Sequence, residues 1–226
     1  MRAAARRAGR LPGSGMARLG VRIATLLTLL TLLPALLAAC GSTPAHPAAL
    51  TATRQIHVSP VKADGSPAAG FRITTTVRHA FCEPGSEAIG QAYRCSAGNV
   101  LSDPCWAEKA TTPTVLCLAF PWLTTVIRLS LSAPLAAIPN EGGLNEPWGV
   151  QLADGQRCEL LQGAHSEFNG RVIDYYCNSR LSLLRGLTRT RAVWLAASVI
   201  DKGGKQAAGP SERISIAWFG QPSTFR

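Results

Sequence analysis

The sequence predicts a mainly β fold, a single antiparallel domain of sandwich or meander type stapled by disulfides and preceded by an apolar segment and a short linker. Three observations carry this expectation. Residues 71–78 alternate apolar and polar side chains, short β-rich segments recur between turn residues, and the six cysteines beyond residue 80 form an even set.

The 226 residues suffice for one ordinary domain once an export signal is removed. Residues 23–39, IATLLTLLTLLPALLAA, are uncharged and follow an arginine-rich start, the charged-then-apolar order of a secretory signal. A start at Met16 keeps Arg18 and Arg22 ahead of the same run and yields the same mature chain. Arg6-Arg7 lacks the flanking pattern of twin-arginine signals, which favours the general secretory route. The run ends Leu37-Ala38-Ala39-Cys40-Gly41, which resembles the lipobox of bacterial lipoproteins. That resemblance implies cleavage before Cys40 and a diacylglycerol on its thiol. Acyl chains contribute roughly 0.8 kcal/mol per buried methylene, so two or three give stable anchoring. The expected organisation is a signal peptide over 1–39, a lipidated terminus and flexible linker over 40–54, and an extracytoplasmic β-rich domain over 55–226. The competing readings are an ordinary signal peptide or an uncleaved anchor, and about 17 apolar residues lie at the lower limit for crossing a bilayer.

The formal net charge of +10 belongs largely to the targeting segment. The first 39 residues hold six arginines and no carboxylate, so their removal leaves +4. Nucleic-acid binding, which requires basic residues clustered on the mature surface, is therefore not expected. Residues 41–52 are small and uncharged apart from His46, and they read as a spacer. His46 and His57, in or near it, read as solvated.

Cys82, Cys95, Cys105, Cys117, Cys158 and Cys177 read as a disulfide framework in an exported chain. Six cysteines allow 15 connectivities. Pairing between sequence neighbours is favoured, each short loop contributing roughly 3 kcal/mol in the chain-entropy model. The absence of any C-x-x-C pair argues against zinc, and no metal or cofactor is expected.

After the 71–78 strand, strands are predicted over 114–120, 124–131, 148–152, 157–161, 171–177, 194–200 and 214–218. Asp154-Gly155 and Asn169-Gly170 tolerate positive φ and suit hairpins, so 148–177 reads as a meander. A strict two-residue turn at Asn169-Gly170 sets Cys177 opposite Gln162, so a Cys158–Cys177 bond needs a break near Gly163. Residues 181–187 resemble a short helix.

No catalytic residues are predicted. Ser59 and Lys62 have S-x-x-K spacing, but the glycines and Pro67 that follow disfavour the helix that this chemistry needs. His165-Ser166-Glu167 reads as a polar turn, because adjacent side chains of a strand diverge. His79 reads as a surface histidine. Glu83, Glu87, Asp103 and Glu108 could supply a glycosidase pair or calcium ligands, while Asp103-Pro104 reads more simply as a turn. Arg180, Arg185, Arg189 and Arg191 fall in a stretch without carboxylates and form the candidate surface for anionic envelope polymers or lipid headgroups. The five tryptophans read as core, or as the lining of a sugar or peptide groove.

Gly85-Ser86, Arg94-Cys95, Asn99-Val100-Leu101, Asp103-Pro104-Cys105-Trp106 and Val115-Leu116-Cys117 form a pattern similar to actinobacterial extracytoplasmic domains. Pro147-Trp148-Gly149-Val150-Gln151-Leu152, with Asp154-Gly155, Cys158 and Gly163-Ala164, extends it over about half of the mature chain. The resemblance implies a cysteine-stapled, sensor-like domain of lipoproteins or of membrane proteins, including some serine/threonine kinases. It carries no catalytic residues over. The leading expectation is a membrane-anchored, non-catalytic domain for binding, sensing or envelope maintenance, meeting the membrane through its lipid and possible partners among anionic envelope polymers or envelope proteins. The alternatives are a cell-envelope hydrolase and a purely structural envelope protein.

Overall fold

The computed structural model describes residues 51–110, 113–138 and 146–221. The expected signal peptide and Cys40 lie outside the described residues. In chain order the strands are β1 (Arg54–Val58), β2 (Arg72–Pro84), β3 (Tyr93–Ala97), β4 (Val100–Glu108), β5 (Thr114–Cys117) and β6 (Thr125–Leu131). They continue with β7 (Gly149–Leu152), β8 (Arg157–Leu160), β9 (Glu167–Phe168), β10 (Arg171–Asn178), β11 (Leu181–Leu184), β12 (Trp194–Asp201) and β13 (Gln206–Gly220).

The β class and the disulfides agree with the sequence, but the architecture corrects the expected single sandwich or meander. Strands β2 to β6 close one barrel through a parallel β2–β6 pairing. Strands β7, β8, β10, β11, β12 and β13 close a second one, where β13 returns to pair with β7. Closure depends on two long strands. β2 shifts register between Val77 and Ala80, where exposed His79 takes φ 60°, and β13 shifts between Ile214 and Ile216. Bulges of this kind bend and twist a strand enough to turn a sheet back on itself.

Each barrel is filled by the inward half of its alternation. The five-stranded barrel encloses Ala80, Cys82, Tyr93, Cys95, Cys105, Val115, Cys117 and Leu129. Cys82 stands opposite Cys95 and Cys105 opposite Cys117, and both pairs are bonded. All four residues of β5 are buried, because Val115 and Cys117 fill this barrel while Leu116 joins a larger core shared with Val150, Leu160, Tyr175 and Leu183 of the other.

Cys158 and Cys177 form the third bond. Asn169 and Gly170 both have positive φ in the β9–β10 turn, where Phe168 pairs with Arg171. Beyond it, the Ile173 amide donates to Ser166 and the Leu161 amide to Asp174, so residues 162–165 are looped out and the register moves. Gly163, at φ 99°, lies in this loop. The break required by the cysteine pairing is therefore present.

The predicted helix over 181–187 is instead strand β11, which pairs with β10 and β12. The Asn178 side-chain carbonyl accepts from the Arg180 and Leu181 amides and closes the preceding turn, while Gly186 at φ 87° ends the strand. Four residues are too few to sustain an isolated helix, and two flanking strands supply ladder partners instead. Asp103-Pro104 is not a turn but lies inside β4, in a cis peptide bond. Tyr93 pairs with Cys105 and Cys95 with Ser102, so these two residues oppose Arg94 in a bulge, where proline's missing donor costs nothing.

β1, taken in the sequence as spacer and domain start, runs parallel to the end of β13, and His57 stacks on Phe219 at 5.5 Å. Thr53 marks the hand-over from β12 to β1. Its hydroxyl donates to the Ile214 carbonyl and accepts from the Trp194 amide.

The two barrels approach closely at Gly149. A Cβ there would lie 2.8 Å from Pro121 Cγ and 2.9 Å from Trp122 Cζ3. Gly149→Ala is therefore expected to lose about 1–3 kcal/mol by overpacking. Urea unfolding checks this, and an unchanged midpoint would show that the contact yields freely.

Candidate functional site

The face of the six-stranded barrel turned toward its neighbour is ordered in rows, since directly paired residues project to the same side of a sheet. Arg54 pairs with Ile216, Ile216 with Gln151 and Gln151 with Arg157, giving a row across β1, β13, β7 and β8. Two positions along, the next row reads Ile56, Trp218, Gly149 and Glu159. Between the rows, Ala217, Val150 and Cys158 point inward and are fully buried.

The Pro121-Trp122 turn of the five-stranded barrel sits on the second row, in the space that Gly149 leaves. Trp122 meets Trp218 edge-on at 5.4 Å and stacks on Phe120 at 5.4 Å with planes 6° apart. This aromatic ridge contributes to two hollows. On one side lies a groove of about 520 Å³ lined by Arg54, His57, Gln151, Arg157, Trp122 and Trp218 and by no carboxylate. The Arg157 guanidinium lies 5.4 Å from the Trp122 ring centre and 6.0 Å from that of Trp218. Arg54 and Arg157 are exposed, and neither has a carboxylate partner among the described residues.

On the other side is a cleft of about 470 Å³ walled by Phe120, Trp148, Leu118 and Leu160, with Asp103 and Glu159 also in its lining. Burial pushes the Glu159 carboxyl above its ordinary value. Volumes of this order suit small ligands or single residues of a polymer, and apolar walls with a few polar groups are the usual lining of such sites.

Beside the cleft a polar chain ties the barrels together. The Asp103 carboxylate accepts from the Ser86 hydroxyl and, at 3.0 Å, from the Glu87 amide, and the Asp103 carbonyl accepts from Gln162 of the looped-out segment. Glu87 pairs with Arg94 and accepts from the Gly163 amide at 2.7 Å. His165 lies between two carboxylates, with Nδ1 3.6 Å from Asp174 Oδ1 and Nε2 3.9 Å from Glu87 Oε2. Thus the segment read as a polar turn bridges Glu87 to Asp174. Burial pushes the Asp103 carboxyl up, opposed by the Ser86 hydroxyl and the Glu87 amide.

Other predicted residues disperse. Glu83 is exposed on β2, whereas Glu108 is held by Arg128, Nη2 to Oε1 at 2.5 Å. The Ser59 hydroxyl donates to the Val61 carbonyl in a local turn. The Sγ atoms of Cys95, Cys105 and Cys117 lie within 4.8 Å of one another, but each is bonded in a disulfide. The four arginines read as one patch differ in their partners. Arg185 Nε bonds Asp174 at 2.9 Å, and Arg189 pairs with Glu146 over the Trp194 ring. Arg180 is exposed before β11 and Arg191 is exposed before β12.

The sequence reading missed Arg54, Arg157 and Glu159. Outward alternation around Cys158 and Leu160 marks two of them as surface residues, but only strand register brings Arg54 into the same row. Compared with protein-family models, curated proteins and solved structures, the chain matches none of them. The three disulfides indicate an oxidising, extracytoplasmic setting.

With its folded value raised, Asp103 binds its proton more tightly in the folded than in the unfolded chain. Its contribution to stability is full below the ordinary aspartate value of about 3.9 and is lost as pH rises through the folded value. The stability of wild type relative to Asp103→Asn is therefore expected to increase as pH falls from 7 toward about 4.5, read by urea unfolding at the two pH values. A pH-independent difference would contradict this.

Proposed function

We propose that the chain is an exported lipoprotein of the bacterial cell envelope, tethered through Cys40, and that its two-barrel domain is a non-catalytic recognition module. The observation that carries this reading is the aromatic ridge at the barrel seam, flanked by two open hollows whose Arg54 and Arg157 on one side and Glu159 on the other have no ion-pair partner among the described residues. Stacked rings on a rigid scaffold, with charged groups beside them, suit binding of an envelope polymer or an envelope protein. The similarity to actinobacterial extracytoplasmic domains supports the same location without adding chemistry.

An envelope hydrolase is the second reading, favoured by one observation, that Asp103 and Glu159 line the same cleft. Asp103 is 4% exposed and both of its carboxylate oxygens already accept hydrogen bonds, which fits a structural role better than proton transfer.

Cys40→Ser is expected to abolish acyl labelling and either block processing or release the protein from the membrane fraction. Unchanged retention with an unchanged label would sink the tether. Independently, Trp122→Ala is expected to weaken co-sedimentation with insoluble cell wall by about ten-fold or more, the loss typical of a buried aromatic anchor. Wild-type binding by a folded variant would move the site away from the seam, and soluble sugars or peptides released from the wall would favour the hydrolase.

A further inference from the structure

The groove on the Arg54 side has a more definite chemistry than a general recognition surface. Its cations stand at the two ends of one ladder row, Arg54 on β1 and Arg157 on β8, with Ile216 and Gln151 between them. Three strand spacings separate the ends, about 14 Å across a flat sheet and less across a curved one. Gln151 Oε1 lies 3.4 Å from Arg157 Nε, and the guanidinium rests over Trp122 and Trp218. Planar guanidinium groups supported on aromatic rings favour bidentate recognition of phosphate.

The row also lies where the chain enters the domain. Arg54 is the first residue of β1 and follows Cys40 by fourteen positions, a connection of at most about 50 Å when fully extended. Ile56, Trp122 and Trp218 give the same groove an apolar side, and tryptophan is enriched at membrane interfaces. We propose that this groove is a phosphate site for the headgroup of an anionic phospholipid in the membrane that holds the tether. This inference rests on the tethered reading. The lipid phosphate sits between Arg54 and Arg157, and the glycerol side of the lipid lies against the tryptophans. Membrane apposition would then orient the seam relative to the bilayer instead of leaving the domain to swing on its linker.

The test uses the compact unit Pro47–Arg226, exported behind a cleavable foreign signal peptide in place of the residues before it. It is sedimented with vesicles of phosphatidylglycerol or phosphatidylcholine. Binding to the anionic vesicles alone is expected, weakened by added salt. Arg54→Gln and Arg157→Gln should each cost roughly five-fold and together about thirty-fold, at the energy typical of a basic side chain at an anionic surface. A charge-matched double variant, Arg180→Gln with Arg191→Gln, should retain most of the binding. Equal loss in that control would reduce the effect to net charge and overturn the site. No preference for phosphatidylglycerol, or binding to soluble polyphosphate but not to vesicles, would also overturn it. Each of these failures leaves the tether standing, because acyl labelling at Cys40 reads it separately.

Discussion

Trp122 can lie on the six-stranded barrel only because position 149 carries no Cβ. The same contact divides the outer face of β7 and β8 into a cationic and an acidic side. An aromatic side chain buries about 150–250 Å² and at about 25 cal/mol per Å² contributes roughly 4–6 kcal/mol before ordering costs. The two barrels therefore share a core across the seam, in which Trp106 and Trp148 lie 5.8 Å apart.

Within the five-stranded barrel cystine is a principal filling. Four of the eight buried residues there are cysteines. Their bonds join directly opposed positions on neighbouring strands, so each fixes local register while its sulfurs act as packing atoms. A small barrel with little apolar area to bury gains stability from such cross-links where burial alone falls short. Fold and compartment are linked by this economy, since the core itself requires oxidation.

Local chemistry was legible in the sequence and closure was not. The even cysteine count, the Asn169-Gly170 turn and the break near Gly163 all follow from short-range geometry. The barrels follow from β2 meeting β6 and β13 meeting β7, pairings between residues far apart in the chain that leave the same alternation a sandwich would. Residues 181–187 misled because a run of leucines fits a helix stripe and a doubly flanked strand equally well. Strand register, invisible in one dimension, puts Arg54 and Arg157 in one row.

β1 is attached to the rest of the domain in an unusual direction. It runs parallel to β13, and its first residue receives the chain from the N-terminal side, with Thr53 pinned at the junction. Tension arriving from that side pulls the strand along its own axis. The five paired positions from Arg54 to Val58 then resist together in shear, instead of parting in succession as they would if peeled from one end. The entry strand is thereby set to resist tension applied at its N-terminal end.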